Sequence, residues 1–188
     1  MTVKTHGVTG LALGFTVAGA TLPQYVNVVT SHDNLVTIGT MAAIILGTFA
    51  GAMYPDFDKD SSMLYADDVY VSWESKLSHR GVTHTLFNTI GVAIPFILVF
   101  ALLKVFVSWN PNWVLTLGAS FCIGCLFHII EDTFTTKGVM WAYPITSSRY
   151  KIPLVKNYFD ELVFGTIVTV GLLVATVFFW TINSPMPT

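Results

Sequence analysis

The sequence is poor in charged residues, which make up 11% of its 188 positions, whereas soluble proteins average about a quarter. Apolar residues fill 53% of the chain, and the mean hydropathy is +0.66. A water-soluble domain of this length cannot bury so much apolar surface. The composition therefore excludes an ordinary soluble domain and predicts an integral membrane protein.

The sequence also has few cysteines and a small net charge. Cys122 and Cys125 lie inside one apolar run, so they define no disulfide framework, and we reject a redox or zinc role for them because no other cysteine exists. A net charge of −2 provides no basic field for nucleic acid, and no nucleic-acid partner is expected. The sequence has no internal repeat or low-complexity tract, and residues 1–188 are expected to form a single domain.

Several uncharged runs approach the roughly 20 residues that a helix needs to cross a bilayer. They predict an all-α, polytopic membrane bundle of about five transmembrane helices with two longer polar segments. The first run is the weakest, because it is short and rich in Gly and Thr. It also imitates a signal peptide, but we expect it to be retained. The predicted spans are 5–22, 34–54, 84–107, 113–131 and 161–182, and the polar segments are 55–83 and 132–160.

Basic residues fall on one side of this topology. With five spans, the N-terminus and both polar segments share a face that holds eight of the nine Lys and Arg residues. Because positive residues accumulate on the cytoplasmic side of membrane proteins, we expect this face to be cytoplasmic. The sequence thus predicts a multi-pass protein of the inner membrane with its polar site on the cytoplasmic side.

The same face gathers most residues that can bind a metal. Four of the five histidines and ten of the eleven acidic residues lie there, in four separate stretches of sequence at or beside helix ends. Singly, His6 and Glu161 are each more typical of an interfacial residue than of a ligand, but random scatter would seldom place so many coordinating groups at one depth. The predicted metal ligands are His6, Asp56, Asp58, His79, His84, His128, Asp132 and Glu161.

His128 and Asp132 are the sharpest local signal. Residues at i and i+4 share a helix face, so both can bind one ion, or Asp132 can orient His128. His128 lies inside an apolar run, and an ionisable residue within a membrane helix is a functional hypothesis by default. A structural histidine with satisfied hydrogen bonds is the alternative.

A mixed set of imidazoles and carboxylates suits zinc, manganese or iron better than calcium. The predicted ligands exceed what one tetrahedral ion needs, so two divalent ions are expected, with zinc preferred. Such a pair lowers the pKa of a bound water and stabilises the oxygens of an in-line displacement. Arg80 is expected to contact phosphate, Asp132 or Glu161 to act as general base, and Arg80, Thr135 and Lys137 to contact the substrate.

The chain resembles the YdjM-like family of bacterial and archaeal inner-membrane proteins, classified as membrane-bound metal-dependent hydrolases. The resemblance covers most of the chain and lies in an early His6, the segment GAMYPDFD at 51–58, the segment HRGVTHT at 79–85, and His128-x-x-x-Asp132 followed by Thr135, Gly138 and Pro144. Tyr54 stands where Leu is common in the family. The family is distantly similar to zinc-dependent phospholipase C, so the resemblance implies a phosphoester hydrolase acting on a lipid.

The preferred function is therefore metal-dependent cleavage of a phospholipid or polyprenyl phosphate at the cytoplasmic membrane interface, with a membrane lipid as partner. One alternative is a non-catalytic, metal-stabilised protein that binds lipid or acts as a scaffold. A metal transporter or sensor is disfavoured, because the middle portions of the spans are almost purely apolar and offer no polar path. A homo-oligomer is compatible with the sequence, which leaves the oligomeric state open.

Overall fold

The computed structural model describes residues 1–21, 34–59, 81–107 and 111–183, and for residues 34–37, 58, 59 and 183 it describes the backbone alone. Five α-helices make up most of these residues, namely α1 (Val3–Thr21), α2 (Asn34–Met53), α3 (Leu86–Phe106), α4 (Asn112–Thr133) and α5 (Tyr158–Asn183). Short 3-10 helices cover Tyr54–Lys59 and Val82–His84. The described part of the chain contains isolated β-bridges but no strand. The prediction of an all-α helical bundle is confirmed.

Four helix starts differ from the predicted bounds, those of α1, α3, α4 and α5, and capping explains the starts of α3 and α5. α3 begins after Thr85, whose hydroxyl accepts a hydrogen bond from the Asn88 N–H at 3.1 Å. α5 begins after Asn157, whose side-chain oxygen accepts from the Asp160 N–H at 2.9 Å. Such caps satisfy backbone donors that have no partner inside the helix. In these two helices the capping side chain, rather than the start of the apolar run, sets where the helix begins.

Within the described residues, four segments are long and apolar enough to cross a membrane: Ile38–Phe57, Leu86–Phe106, Asn112–Thr133 and Tyr158–Ile182. α1 is a helix of 19 residues but is not among them. Its Gly and Thr residues lower its apolarity, and many of them are buried against other helices. Four of the five predicted spans are thus apolar helices of sufficient length, and a membrane-spanning role for α1 stays a prediction.

The helices pack side by side in the order α5, α1, α2, α4, α3, with α1 also reaching α4. Small residues allow the central three helices to approach closely. A Cβ atom at Gly10 of α1 would lie 2.3 Å from the Ala52 Cβ, and one at Gly51 of α2 would lie 1.9 Å from the Phe121 carbonyl oxygen. These contacts bring the C-terminal end of α2 against α1 and the middle of α4.

The segment between α4 and α5 is structured without being helical. It pairs with itself at Val139 and Tyr150, whose backbones exchange hydrogen bonds of 2.9 and 3.0 Å. Gly138 has a φ of +61°, a conformation that favours glycine, and a Cβ there would lie 2.4 Å from the Tyr150 carbonyl oxygen. The Trp141 carbonyl accepts from the Leu86 N–H at 3.0 Å. The segment therefore folds back onto the ends of α3 and α4.

Candidate metal centre

Five of the predicted ligands meet at one end of the bundle. They come from the first turns of α1, the two 3-10 helices that follow α2 and precede α3, and the last turns of α4. Their exposed fractions are 0–2%. Buried groups of this kind need partners, because an unpaired charge in an apolar interior is very costly. The residues are His6, Asp56, His84, His128 and Asp132.

His128 is oriented by the backbone of α2. Its Nδ1 lies 2.6 Å from the Ala52 carbonyl oxygen, which can only accept, so Nδ1 carries a proton and donates it. In the neutral ring, Nε2 then has a free lone pair. That lone pair faces the His84 Nε2, 3.1 Å away. A backbone hydrogen bond that fixes the tautomer in this way is typical of histidines that bind metals.

Two carboxylate oxygens complete the surroundings of these two nitrogens. Asp132 Oδ2 lies 3.5 Å from the His84 Nε2 and 3.8 Å from the His128 Nε2. Asp56 Oδ1 lies 3.7 Å and 3.9 Å from the same two atoms. Tetrahedral bonds of about 2.0–2.2 Å to a central ion place ligand atoms about 3.3–3.6 Å apart. The spacing is therefore close to that of atoms arranged around a shared cation.

Asp132 connects this group to His6. Its Oδ1 accepts from the Met1 amino group at 2.7 Å and lies 3.3 Å from the His6 Nε2. The His6 ring also stacks on the His128 ring, with centroids 3.6 Å apart and planes inclined by 26°. Two ligand groups result, His6–Asp56–His128 and His84–His128–Asp132, and within each group the ligand atoms lie within 4.8 Å of one another.

The two groups overlap at His128, which limits how ions can be placed. Its Nδ1 is committed to the Ala52 carbonyl, so only Nε2 can bind, and one nitrogen binds one ion. Two ions would need a bridging carboxylate, a role open to Asp56 and Asp132 because each has two oxygens. Imidazole nitrogens with carboxylate oxygens fit zinc, manganese or iron(II). The residues present fit a divalent transition metal, while a pair of ions stays a prediction.

Glu131 is a residue of this site that the sequence reasoning missed. Its exposed fraction is 2%, and its Oε2 accepts hydrogen bonds from the His6 Nδ1 at 2.6 Å and from the Thr9 hydroxyl at 3.0 Å. The carboxylate holds the proton of His6 on Nδ1 and so directs Nε2 toward Asp132. A signal was present, because Glu131 follows His128 by three residues and Thr9 follows His6 by three, spacings that share a helix face.

Glu161 lies beside the cluster rather than in it. It lies in the first turn of α5, and its Oε1 accepts from the Thr2 N–H at 2.5 Å and from the Thr5 hydroxyl at 2.7 Å. It belongs to neither ligand group. The hydrogen bonds attach the start of α5 to the start of α1, and a role for Glu161 as ligand or general base stays a prediction.

The remaining predicted residues have three different placements. The Thr135 hydroxyl donates to the Asp132 carbonyl at 2.8 Å, so it secures the backbone of a candidate ligand. Lys137 is exposed two residues further along. His79, Arg80 and the side chain of Asp58 lie outside the described residues. Contacts of Thr135, Lys137 and Arg80 with a substrate stay predictions.

Comparison with known proteins identifies a family. The chain matches the model of the YdjM inner membrane protein family over residues 1–185, a range that includes every element of the candidate metal centre. No curated protein and no solved structure matches the chain. The match agrees with the four apolar helices that are long enough to cross a membrane. The chain therefore belongs to the YdjM inner membrane protein family.

Proposed function

We propose that this protein is a membrane-bound metal-dependent hydrolase that cleaves a phosphoester of a membrane lipid, either a phospholipid or a polyprenyl phosphate. The observation that carries the proposal is the buried convergence of imidazoles and carboxylates from separate helices at one end of the bundle. The family assignment supports the membrane setting. The resemblance of His128-x-x-x-Asp132 to the zinc-binding helices of phospholipase C supports the reaction class.

A metal is favoured by the spacing of the ligand atoms. The Nε2 atoms of His84 and His128 lie 3.1 Å apart, and carboxylate oxygens of Asp56 and Asp132 lie 3.5–3.9 Å from them. A divalent cation would attract all four atoms at once and would offset buried negative charge. Zinc is the preferred ion, with manganese and iron as alternatives.

A bound divalent ion would activate a water and stabilise the charge that develops on the phosphoryl oxygens. The chain's own residues would hold and orient it: the Ala52 carbonyl fixes His128 and the Glu131 carboxylate fixes His6. Asp132 or Glu161 would accept the proton of the attacking water, and Asp132 is the one that lies in the cluster. Arg80, Thr135 and Lys137 would contact the phosphate.

A lipid substrate is favoured by the depth of the cluster. Its residues lie at or beside helix ends, and α2, α3 and α4 are apolar enough to cross a membrane. The cluster would therefore lie at the level at which a spanning helix reaches the headgroups. Exposed Arg149, Lys151 and Lys156 precede α5 and would attract anionic headgroups at about 1 kcal/mol per basic residue. By the positive-inside rule this end would be cytoplasmic.

The proposal is tested with purified full-length protein in phospholipid nanodiscs. We expect bound zinc, manganese or iron by elemental mass spectrometry, and release of phosphate or phosphorylated headgroup from a panel of phospholipids and polyprenyl phosphates. His84→Ala should lose both, whereas Cys122→Ala, on α4 but outside both ligand groups, should keep both. Metal-free wild-type protein with no turnover on any lipid would end the proposal.

A non-catalytic role for the metal is the second candidate, and one observation favours it. The candidate ligands have exposed fractions of only 0–2%, and structural metal sites are closed whereas catalytic sites keep an open position. In this case the protein would bind a metal stoichiometrically and lose stability on chelation, yet would turn over none of the lipids in the panel. The same experiment therefore separates the two functions.

A further inference from the structure

A groove of about 730 Å³ lies between α1 and α5. Its volume falls within the range of about 300–1,000 Å³ that is usual for ligand pockets. It adjoins the candidate metal centre, because Thr9 lines the groove while its hydroxyl donates to Glu131. Most of the lining is apolar or carries a hydroxyl, and includes Val8, Leu162, Gly165, Thr166, Thr169 and Val170.

Hydrogen bonds between the two helices mark both ends of this α1–α5 groove. At the end near the metal centre, Glu161 accepts from Thr2 and Thr5. At the other end, the Thr16 hydroxyl is placed to donate to the Leu172 carbonyl at 2.9 Å. The lining residues of α5 run from Tyr158 to Val170, which at about 1.5 Å per residue is about 18 Å. The hydrocarbon core of a bilayer is about 30 Å thick, so the groove is as long as one leaflet is deep.

We propose that the α1–α5 groove holds one hydrocarbon chain of the lipid on which the enzyme acts, with the phosphate headgroup at the Lys4 end. This inference rests on the proposed function, because it names the part of the substrate that the metal centre does not contact. Lys4 is the one basic residue among the described residues that line the groove, and its charge complements a lipid phosphate. Lys4 precedes His6 by two residues, so a headgroup there lies next to the cluster.

The sequence of side chains along the groove follows the polarity profile of a leaflet. Tyr158 is 73% exposed at the mouth, and aromatic residues of this kind favour the headgroup level. Leu162 follows one turn further toward the bilayer centre and Val170 about two turns beyond it, and they are 55% and 53% exposed. A single chain lying along α5 would therefore meet polar groups at its headgroup and apolar ones beyond it.

The expected preference is modest, because lipid tails are as apolar as the groove. Moving a chain from the bilayer into the groove gains packing contacts but no hydrophobic driving force. Filling the groove with a bulky side chain should remove that gain. Thr169→Trp places an indole in the lining, whereas Ile167→Trp adds the same group at a site that is 66% exposed and outside the lining. The two variants form a matched pair.

The test uses full-length protein in phosphatidylcholine nanodiscs that contain phosphatidylglycerol with a diazirine in mid-chain. After photolysis, we expect labelled residues to concentrate on the groove faces of α1 and α5. Thr169→Trp should lower that labelling about tenfold, which corresponds to about 1.4 kcal/mol, and Ile167→Trp should leave it at the wild-type level. Equal labelling of these faces in wild type and both tryptophan variants would overturn the inference.

A second experiment tests where the phosphate headgroup binds. A diacylglycerol with the same diazirine chain lacks the phosphate, and wild type should label less with it than with phosphatidylglycerol. Lys4→Gln should abolish that difference. If wild type shows no preference for the phosphate lipid, the assignment of the headgroup to the Lys4 end is wrong.

Failure of the groove and failure of the proposed function give different results. Bound metal, and wild-type hydrolysis of the water-soluble bis(p-nitrophenyl) phosphate, report on the metal centre without the groove. Thr169-dependent labelling with no metal and no turnover would retain the groove as a lipid site and reject the hydrolase. Bound metal and turnover, together with labelling that Thr169→Trp does not change, would retain the hydrolase and reject the groove as a lipid site.

Discussion

The central and outer helices of this bundle differ in the share of their residues that they bury. α1, α2 and α4 enclose small and polar side chains, among them His6, Thr48 and His128, each with an exposed fraction of 0%. In the apolar stretches of α3 and α5 that could cross a membrane, only 6% of residues are buried. The corresponding shares are 33% for α2 and 39% for α4. Lipid can cover apolar outer faces, but buried polar groups require specific partners. The contacts that specify how the helices pack together therefore lie mainly among the three central helices.

The strongest way to break this comparison is to disturb the close approach of α2 and α4. Gly51→Ala would place a Cβ 1.9 Å from the Phe121 carbonyl oxygen, so the two helices must separate, and we expect a loss of about 3 kcal/mol or more in unfolding free energy. The matched control is Gly91→Ala on α3, where nothing lies within 4 Å of the added atom. Thermal unfolding in detergent measures both, and equal stabilities would contradict the packing argument.

The next largest effect is expected at the imidazole shared by both ligand groups. His128→Ala removes the one nitrogen that can enter either group and leaves the Ala52 carbonyl without its donor. We expect metal affinity, measured by competition with a chelator, to fall by more than about 100-fold, the upper range for losing even a supporting residue. Cys122→Ala should leave the affinity unchanged. A variant that binds metal like the wild type would show that the cluster is not a metal site.

A smaller effect is expected from the residue that orients His6. Glu131→Gln weakens the hydrogen bond that holds the His6 Nδ1 proton, and we expect metal affinity to fall by about tenfold. Glu161→Gln, at a carboxylate outside both ligand groups, should change it far less. If instead Glu161→Gln causes the larger loss, Glu161 is a ligand, as the sequence predicted, and the side chains rearrange when metal binds.

The smallest effect is expected where an outer helix attaches to the centre. Thr16→Val removes the hydroxyl that lies 2.9 Å from the Leu172 carbonyl and 3.0 Å from the Thr176 hydroxyl. Hydrogen bonds between membrane helices average about 0.6 kcal/mol in double-mutant cycles, so we expect a loss of about that size. Thr181→Val, whose exposed hydroxyl bonds only within α5, is the control in the same unfolding assay. If Thr16→Val lost more unfolding free energy than Gly51→Ala, the attachment of the outer helix would matter more than the packing of the central helices.

Much of the candidate site could be predicted because topology alone carries helix ends to a common face. His6, Asp56, His84 and His128 come from separate stretches, yet hydropathy places each beside a helix end on the same side. The pairing of His128 with Asp132 followed from helix periodicity. Glu131 was missed because a glutamate at the end of an apolar run is also typical of an interfacial residue, and only its hydrogen bonds to His6 and Thr9 distinguish the two.

Hydropathy and charge can be read from each residue without knowing its neighbours in space. The sequence by itself therefore determined that this chain is a helical membrane protein and which end of it carries the candidate ligands. Which ligands meet was decided only by the tertiary structure. Glu161 lies at the correct depth but faces Thr2 and Thr5, while Glu131 enters the cluster. The physical reason is lateral packing: the order of the five helices, and glycines that admit α1 and α4 against α2, decide which carboxylate reaches His6.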